Sequence, residues 1–297
     1  MVRKGLPLPM HKLRGWTAQD STVRPKAQDI AVPPFPPDAA WIGPEPAPVE
    51  RLCARGPVIV HFVDVAHVSS VRTLPYLTAW AERYGTLGLS VIGVNSPRFS
   101  FTADPDKLRA AVAHLDLTLG FAIDSDYAAW HAYGCEGWPS LFLWGRGGAL
   151  RWVHFGEGEY QGTEAVIRAE LESASGAADG LPEPLEPLRP TDAPGALVAA
   201  PSDEVFPGGS ISEPWLAAEG DPPLDIDYSA GEAWASVDGR GSLRVSLDGG
   251  PDAMIEVAAP GAYRLAGHAR HESHRLSLRA TPGLSVYSVG FAAGVPS

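Results

Sequence analysis

The stretch VIVHFVDVAHVSSVRTLPYL, residues 58–77, decides the fold class of the first half of this 297-residue chain. Its first six residues are apolar or β-branched apart from one histidine, which is typical of a strand buried on both faces. Apolar side chains then recur at helical spacing as far as Gly85, a stop signal. We therefore predict a buried strand and a helix, with Ser69 and Ser70 as N-cap residues and a kink at Pro75.

Strand and helix patterns go on alternating from this junction to about residue 173. We predict further strands at 89–94, 119–123, 141–144 and 149–155, and helices at 105–115, 126–133 (capped by Asp124 or Ser125) and 163–173. The last two strands read as a hairpin. This order predicts an α/β fold with a central mixed sheet flanked by helices.

The second half of the chain has a different character. Prolines recur among alanine, glycine and acidic residues, which is typical of a semi-stiff linker. Beyond them, Gly-rich turns separate short strand patterns, which predicts a smaller all-β sandwich domain. The predicted strands are 224–228, 233–237, 242–247, 253–257, 263–266, 274–279 and 285–291. The predicted domains are a Pro-rich N-terminal arm (1–44), an α/β domain (45–176), a linker (177–204) and the sandwich (205–297).

Charge and cysteine content narrow the class of protein. The formal net charge of −12 disfavours nucleic acid and anionic membranes as partners. No window has the length of a transmembrane helix, and no apolar stretch of signal-peptide length follows the basic N-terminal residues, so we expect a cytoplasmic protein. Two cysteines, Cys53 and Cys135, make no disulfide framework and are predicted to be free, mostly buried thiols.

Residues 62–77 resemble the active-site segment of thioredoxin-like redoxins of the TlpA and DipZ type. In that family a tryptophan and a Cys-x-x-Cys motif precede Arg-x-Leu-Pro-Tyr-Leu, and residues 72–77 match this last run. Residues 91–99, 129–139 and 155–168 resemble later segments of the family in the same order. The resemblance implies a thioredoxin-like fold with a cis-proline at Pro139, followed by a β-sandwich like a carbohydrate-binding module.

The departures from the family decide what chemistry can be expected. The two family cysteines fall on His67 and Ser70, and the tryptophan falls on Val63. Disulfide exchange needs an attacking thiolate and a resolving thiol, and imidazole and hydroxyl supply neither. At a helix N-terminus His67 is expected to be neutral. A redox-inactive protein is predicted, one that binds a peptide, a protein partner or a small ligand in the cleft formed by Asp64, His67, Ser69, Ser70, Trp138 and Pro139.

Other interpretations of the same region stay open. Cys135, four residues before Pro139, is a candidate catalytic thiol of an oxidoreductase or peroxidase-like enzyme with a redesigned site. A triad of Asp64, His67 and a nearby serine lacks a nucleophile elbow or oxyanion-hole motif in the sequence. Metal binding through His67 is a third alternative, with no partner ligand apparent.

Two groups of side chains in the second half are predicted to have structural rather than ligand-binding roles. His268, His271 and His274 lie three residues apart, and we interpret them as a solvated β-turn rather than a metal site. No metal and no cofactor is therefore predicted. Trp215, Tyr228 and Trp234 are the aromatic candidates for a saccharide platform. We expect them to serve packing or a homodimer interface instead.

Overall fold

The predicted buried strand lies near the middle of a six-stranded mixed sheet. The computed structural model describes residues 30–175 and 180–296. The strands of this sheet are β1 (Ala40–Ile42), β2 (Val58–Val63), β3 (Ser90–Asn95), β4 (Phe121–Ile123), β5 (Ser140–Trp144) and β6 (Leu150–Phe155). Their spatial order is β1-β4-β3-β2-β5-β6. Strands β2, β3 and β4 are parallel, and the three others pair antiparallel with their neighbours.

Five helices accompany these strands along the chain. They are α1 (Val49–Cys53), α2 (Val68–Tyr84), α3 (Pro105–His114), α4 (Ala128–Tyr133) and α5 (Tyr160–Ser175). The alternation of strands and helices confirms the predicted α/β thioredoxin-like fold. Among residues 30–175 and 180–296, no helix is long and apolar enough to cross a membrane.

The first residues of helices α2 and α4 differ from the predicted N-caps. Helix α2 begins at Val68, so Ser69 and Ser70 lie in its first turn and the N-cap prediction is wrong. The N-cap of α4 is Tyr127, so the prediction of Asp124 or Ser125 as the cap is wrong. The Asp124 carboxylate nevertheless accepts hydrogen bonds from the first-turn N–H groups of Ala129 (2.8 Å) and Trp130 (3.0 Å).

Strand β1 and helix α1 carry no clear periodicity, and the sequence analysis missed both. Strand β1 pairs antiparallel with β4, with Trp41 opposite Ala122. Further upstream, Ala31 bridges to Ala149, and the carbonyl of Pro33 accepts a hydrogen bond from the Tyr133 hydroxyl at 2.9 Å. These contacts hold the Pro-rich arm against the sheet from residue 31 onward.

The chain divides into two units that interleave along the sequence. Of the described residues, the first unit combines 30–63, 73–96, 118–175 and 180–187, and the second combines 64–72, 97–117 and 188–296. The junction that follows β2 therefore belongs to the same unit as the C-terminal sheet.

Both faces of β2 are covered in the first unit. Val58, Val60 and Phe62 pack into a core cluster with side chains of α1 and α4, including Cys53 and Trp130. On the opposite face, His61 Nε2 lies 2.9 Å from the Thr73 hydroxyl of α2. All six residues of β2 are buried, as the continuous apolar pattern predicts.

The second unit contains an antiparallel, sandwich-like sheet with one apolar core. Its strands are β7 (Trp215–Leu216), β8 (Leu224–Asp238), β9 (Gly241–Leu247), β10 (Ala253–Val257), β11 (Gly261–Ala280) and β12 (Ser285–Ala292). They are ordered β10-β9-β11-β8-β12-β7. The inward side chains of these strands form a continuous cluster, which includes Val237, Leu278 and Val289.

Two of these strands are longer than predicted. Strand β8 joins the predicted strands 224–228 and 233–237, and β11 joins 263–266 and 274–279. The two long strands pair with each other, and register shifts in β11 absorb the Gly- and His-containing stretch that resembles a turn. The prediction of a solvated β-turn at His268–His274 is therefore wrong, because these residues lie within β11.

The Pro-rich stretch after α5 is held by hydrogen bonds at both described ends. In the first unit, the Glu164 carboxylate accepts a hydrogen bond from the Leu185 N–H at 2.9 Å. In the second unit, the Ser202 N–H donates to the Ser229 carbonyl at 2.8 Å, and Val205 bridges to Val289.

A close contact inside the first sheet yields a stability prediction. A Cβ added at Gly93 of β3 would lie 2.3 Å from Cε1 of Phe121, which is fully buried. We expect Gly93→Ala to lower the free energy of unfolding by about 1–3 kcal/mol, because the ring has no free space to enter. Urea denaturation followed by circular dichroism measures the change. Gly85→Ala is the matched control, since its Cβ would meet nothing within 4 Å; an equal loss in both variants would contradict the prediction.

Candidate functional site

The carboxylate of Asp64 organises the turn that follows β2. Its Oδ2 accepts hydrogen bonds from the N–H groups of Arg98 (2.6 Å) and Phe99 (3.0 Å) and from the Thr102 hydroxyl (2.7 Å). Its Oδ1 accepts one from the Ala66 N–H at 2.7 Å. Burial raises the pKa of Asp64, and these hydrogen bonds oppose that rise. Asp64 therefore joins residues 64–66 to residues 98–102 within the second unit.

By the resemblance described above, His67 and Ser70 are the residues expected at the two cysteine positions of redoxins. The Ser70 hydroxyl is buried, accepts a hydrogen bond from the Asp64 N–H at 3.2 Å, and lies 3.4 Å from His67 Nδ1. The imidazole of His67 is only partly buried. Burial, with the nearby Arg98 charge as a second cause, lowers the pKa of His67 to about 3. The imidazole is therefore neutral at physiological pH.

A Ser–His–Asp triad does not form at this position. The triad needs an imidazole that bridges a hydroxyl and a carboxylate. Ser70 approaches His67, but the Asp64 carboxylate accepts its hydrogen bonds from Ala66 and from residues 98–102. Asp64 thus has a structural role, and Ser69 stays partly exposed in the first turn of α2.

Residues 64–72 pack against the C-terminal sheet inside the second unit. The Ala66 carbonyl accepts a hydrogen bond from the buried Ser236 hydroxyl of β8 at 2.7 Å. Arg72, which is 5% exposed, forms an ion pair with Glu232 of the same strand. A Cβ added at Gly290 of β12 would lie 3.1 Å from a methyl group of Val68. The segment that carries the catalytic motif in redoxins is thus an integral part of this unit.

Arg98 fixes the second segment that surrounds Asp64. Its guanidinium pairs with both carboxylate oxygens of Glu204, at 3.2 and 2.6 Å, and lies 5.0 Å from the Phe99 ring centroid. Phe99 and Phe101 in turn pack with Tyr287 of β12. Such a bidentate pair is geometrically specific, so it holds the positive charge near His67 in place.

Trp138 and Pro139 belong to the first unit. The peptide bond between them is cis. The indole Nε1–H of Trp138 donates to the Ser96 carbonyl at 2.7 Å, and its ring lies 4.3 Å from that of Trp130. Pro139 is buried, and its carbonyl accepts from the Gly156 N–H at 2.7 Å. Their part in a ligand site stays a prediction.

Both thiols lie in the first unit and are free. Burial raises the pKa of Cys53 to about 11, and the Glu50 charge adds to the rise. Burial also raises the pKa of Cys135, beyond what the opposing hydrogen bond from Ser140 offsets. Neither thiol is therefore an activated thiolate, which is the state that exchange or peroxidase chemistry requires.

Several residues that build this site gave no signal in the sequence analysis. Glu232 and Ser236 are polar residues in a strand of small and apolar side chains, and Glu204 lies in the Pro-rich stretch. A buried position on a strand is a weak hint of a specific partner, because buried polar groups are normally hydrogen-bonded. Their partners, more than 100 residues away in sequence, could not be read from spacing.

The three aromatic candidates for a saccharide platform differ in their surroundings. Tyr228 is buried in the core, and its hydroxyl hydrogen-bonds His268 Nε2 at 2.8 Å. Trp234 is partly buried, and its Nε1–H donates to Glu232 at 3.0 Å. Trp215 packs partly buried against the core. At least Tyr228 is therefore a packing residue, as expected.

Comparison with known proteins extends the resemblance along the chain. No protein-family model matches. The chain is 27% identical over 287 residues to protein DipZ of Mycobacterium tuberculosis and of Mycobacterium bovis, which covers 84% of this chain and 41% of DipZ. The mixed sheet of the first unit and the sequence similarity to DipZ both indicate a thioredoxin-like fold. The chain has a thioredoxin-like fold and is similar in sequence to DipZ. It spans about two fifths of the length of the DipZ proteins that it matches.

Other similarities cover about half of this chain. NHL repeat-containing protein 2 of Bos taurus is 30% identical over 152 residues, which is 50% of this chain and 19% of that protein. Solved structures with a similar fold include a thioredoxin-like protein in the oxidised form (TM-score 0.43, 25% identity, 48% of this chain and 97% of that one). Another is a thiol-disulfide isomerase from Corynebacterium glutamicum (TM-score 0.42, 20% identity, 48% and 98%). The strand order β1-β4-β3-β2-β5-β6, and not these TM-scores, identifies the fold.

The low pKa of His67 predicts an acid-sensitive stability. As the pH falls below about 6.5, the unfolded chain binds a proton at this residue, while the folded chain binds none until about pH 3. His67 therefore lowers the free energy of unfolding over this window, by at most about 1.4 kcal/mol per pH unit. Urea titrations between pH 7 and pH 4 should show a shallower loss for His67→Gln than for the unchanged protein. His131→Gln, on an exposed position of α4, is the control and should keep the original slope.

Proposed function

We propose that this DipZ-type chain is a redox-inactive thioredoxin-like protein that binds a peptide, a protein partner or a small ligand at the surface around His67. The observation that carries the proposal is the engagement of His67 and Ser70 in one hydrogen-bonded turn with Asp64. These two positions have become parts of a fixed structure, with no sulfur atom to exchange.

The absence of thiols at positions 67 and 70 argues against disulfide exchange. Exchange forms a mixed disulfide by thiolate attack, and a second thiol must then resolve it. The alternative, catalysis by Cys135, needs a lowered thiol pKa, whereas burial raises it. No observation favours this alternative over binding.

The accessible polar surface near His67 supports a binding role. His67 and Ser69 are partly exposed at the start of the 17-residue helix α2. A neutral imidazole both donates and accepts hydrogen bonds, so it suits the backbone amides of an extended peptide. The Asp64 hydrogen bonds keep this turn in a single arrangement, which reduces the ordering cost of binding.

Disulfide reduction tests the redox half of the proposal. In an insulin reduction assay with dithiothreitol, we expect the unchanged chain to give only the background rate. His67→Cys combined with Ser70→Cys should raise the rate, because it places one thiol just before α2 and one in its first turn, where the helix N-terminus favours a thiolate. Activity of the unchanged chain that disappears in Cys135→Ser but survives in Cys53→Ser would refute the proposal and establish the alternative.

Peptide titration tests the binding half. A pool of cysteine-free, proline-containing decapeptides should shift the imidazole NMR signals of His67 saturably and leave those of the exposed His131 unchanged. His67→Ala should weaken binding by about tenfold, the value of one hydrogen bond to a well-oriented polar group. His131→Ala is the control. Absence of a saturable His67 signal change, or equal binding by His67→Ala, would overturn the assignment of this surface to peptides.

A further inference from the structure

A cluster of two histidines and a glutamate lies in the second unit, remote in sequence from His67. Glu272 Oε2 lies 3.2 Å from His274 Nε2 and 4.0 Å from His268 Nδ1. All three candidate ligand atoms lie within 4.8 Å of one another. We propose that His268, Glu272 and His274 bind a divalent transition-metal ion of the Zn²⁺ class.

An irregularity in β11 brings these side chains together. In a regular strand, His268 and His274 would lie about 20 Å apart, at about 3.3 Å per residue. Here Gly267 pairs with Glu232 of β8, and the next paired residue, Glu272, lies opposite Ala230. The extra residues of β11 leave the ladder, and the two imidazole rings stack with centroids 4.2 Å apart. Irregularities of this kind re-aim side chains and are frequent next to functional sites.

The outer nitrogen of each histidine is held by a separate partner. Asp248 Oδ2 lies 2.7 Å from His274 Nδ1, and the Tyr228 hydroxyl lies 2.8 Å from His268 Nε2. A His268 tautomer that donates from Nε2 to Tyr228 leaves the Nδ1 lone pair on the side of Glu272. His274 lies between two carboxylates, so a metal ion would replace the proton that its Nε2 shares with Glu272, while Asp248 keeps the proton on Nδ1. A carboxylate or hydroxyl behind a ligating histidine orients the ring and sets its tautomer in metal sites.

The distances fit a small ion after a limited adjustment. Two ligands of a tetrahedral Zn²⁺ at about 2.0–2.1 Å are about 3.3 Å apart. The Glu272–His274 separation of 3.2 Å meets this value, and the His268–Glu272 separation of 4.0 Å must shorten. The two ring planes are 21° apart and must turn toward a common point. Glu272 is 42% exposed, so it can move and the ion has a path from solvent.

The donor set and the local charge select the class of ion. Two imidazole nitrogens with one carboxylate suit Zn²⁺, Ni²⁺, Co²⁺ or Cu²⁺, whereas Ca²⁺ and Mg²⁺ prefer oxygen ligands throughout. Glu272 and Asp248 bring two negative charges to the rings, which favours a cation, and the metal ion must displace the proton that these carboxylates stabilise on His274. Arg264 is a positive charge near His268, and its guanidinium pairs with the Glu232 carboxylate at 3.3 Å. Three protein ligands leave a coordination position open for water or a further ligand.

Zinc titration of the tag-free full chain tests the proposal. After treatment with a chelator, isothermal titration calorimetry with Zn²⁺ should give one site per chain. Glu272→Gln and His274→Ala should each weaken this site by at least about tenfold, and Asp248→Asn by about tenfold through the orientation of His274. His271→Ala, in the same strand irregularity but outside the cluster, is the matched control and should bind as the unchanged chain does.

Imidazole NMR signals keep the test valid if a variant fails to fold. In the unchanged chain, Zn²⁺ should shift the signals of His268 and His274 and leave those of His67 and His131 in place. Equal Zn²⁺ affinity in the folded Glu272→Gln and His274→Ala variants would overturn the proposal. So would a titration of the unchanged chain in which neither His268 nor His274 responds. Neither result depends on the redox or peptide assays.

Discussion

The buried carboxylate of Asp64 is the constraint on which the site depends. It accepts hydrogen bonds from three backbone N–H groups and one hydroxyl, all within 3.0 Å. A buried carboxylate without such partners would be strongly unfavourable, so the turn after β2 and residues 98–102 can only form together. The same turn carries His67 and leads into helix α2. The hydrogen bonds of Asp64 therefore fix the geometry of this turn without any ligand.

The positions that hold thiols in redoxins have acquired other contacts in this chain. Ser70 is buried and hydrogen-bonded within the turn, and the carbonyl of the nearby Ala66 is bound by Ser236 of the C-terminal sheet. The two cysteines that do exist lie elsewhere, with thiols whose pKa burial raises. The thioredoxin-like fold is thus present without thiols at positions 67 and 70, and a fold does not by itself determine function. The proposed binding role requires no nucleophile.

The C-terminal sheet contains a second chemical feature that its sequence pattern hides. Histidines at a spacing of three residues do not share one face of a regular strand, so the sequence pattern of a strand does not predict that they meet. The register shift in β11 takes several residues out of the ladder. As a result His268 and His274, six positions apart in sequence, stack on each other. Asp248 and Tyr228, on other parts of the unit, then hold the rings from behind.

The sequence by itself determined the elements that depend on local pattern. The buried strand β2 and the mixed α/β order could be predicted, because burial on both faces gives a strand a continuous apolar run and helices have their own apolar spacing. The resemblance of residues 72–77 to redoxins, and the histidine and serine at positions 67 and 70, could also be read from the sequence. The extent of β8 and β11 could not, because strand continuity depends on a paired partner and on bulges that interrupt local periodicity. Only the tertiary structure decided that Asp64 is a structural acceptor and that residues 64–72 pack with Ser236 and Glu232. It alone brought His268, Glu272 and His274 together, since contacts between distant segments follow from packing and register, which no local spacing encodes.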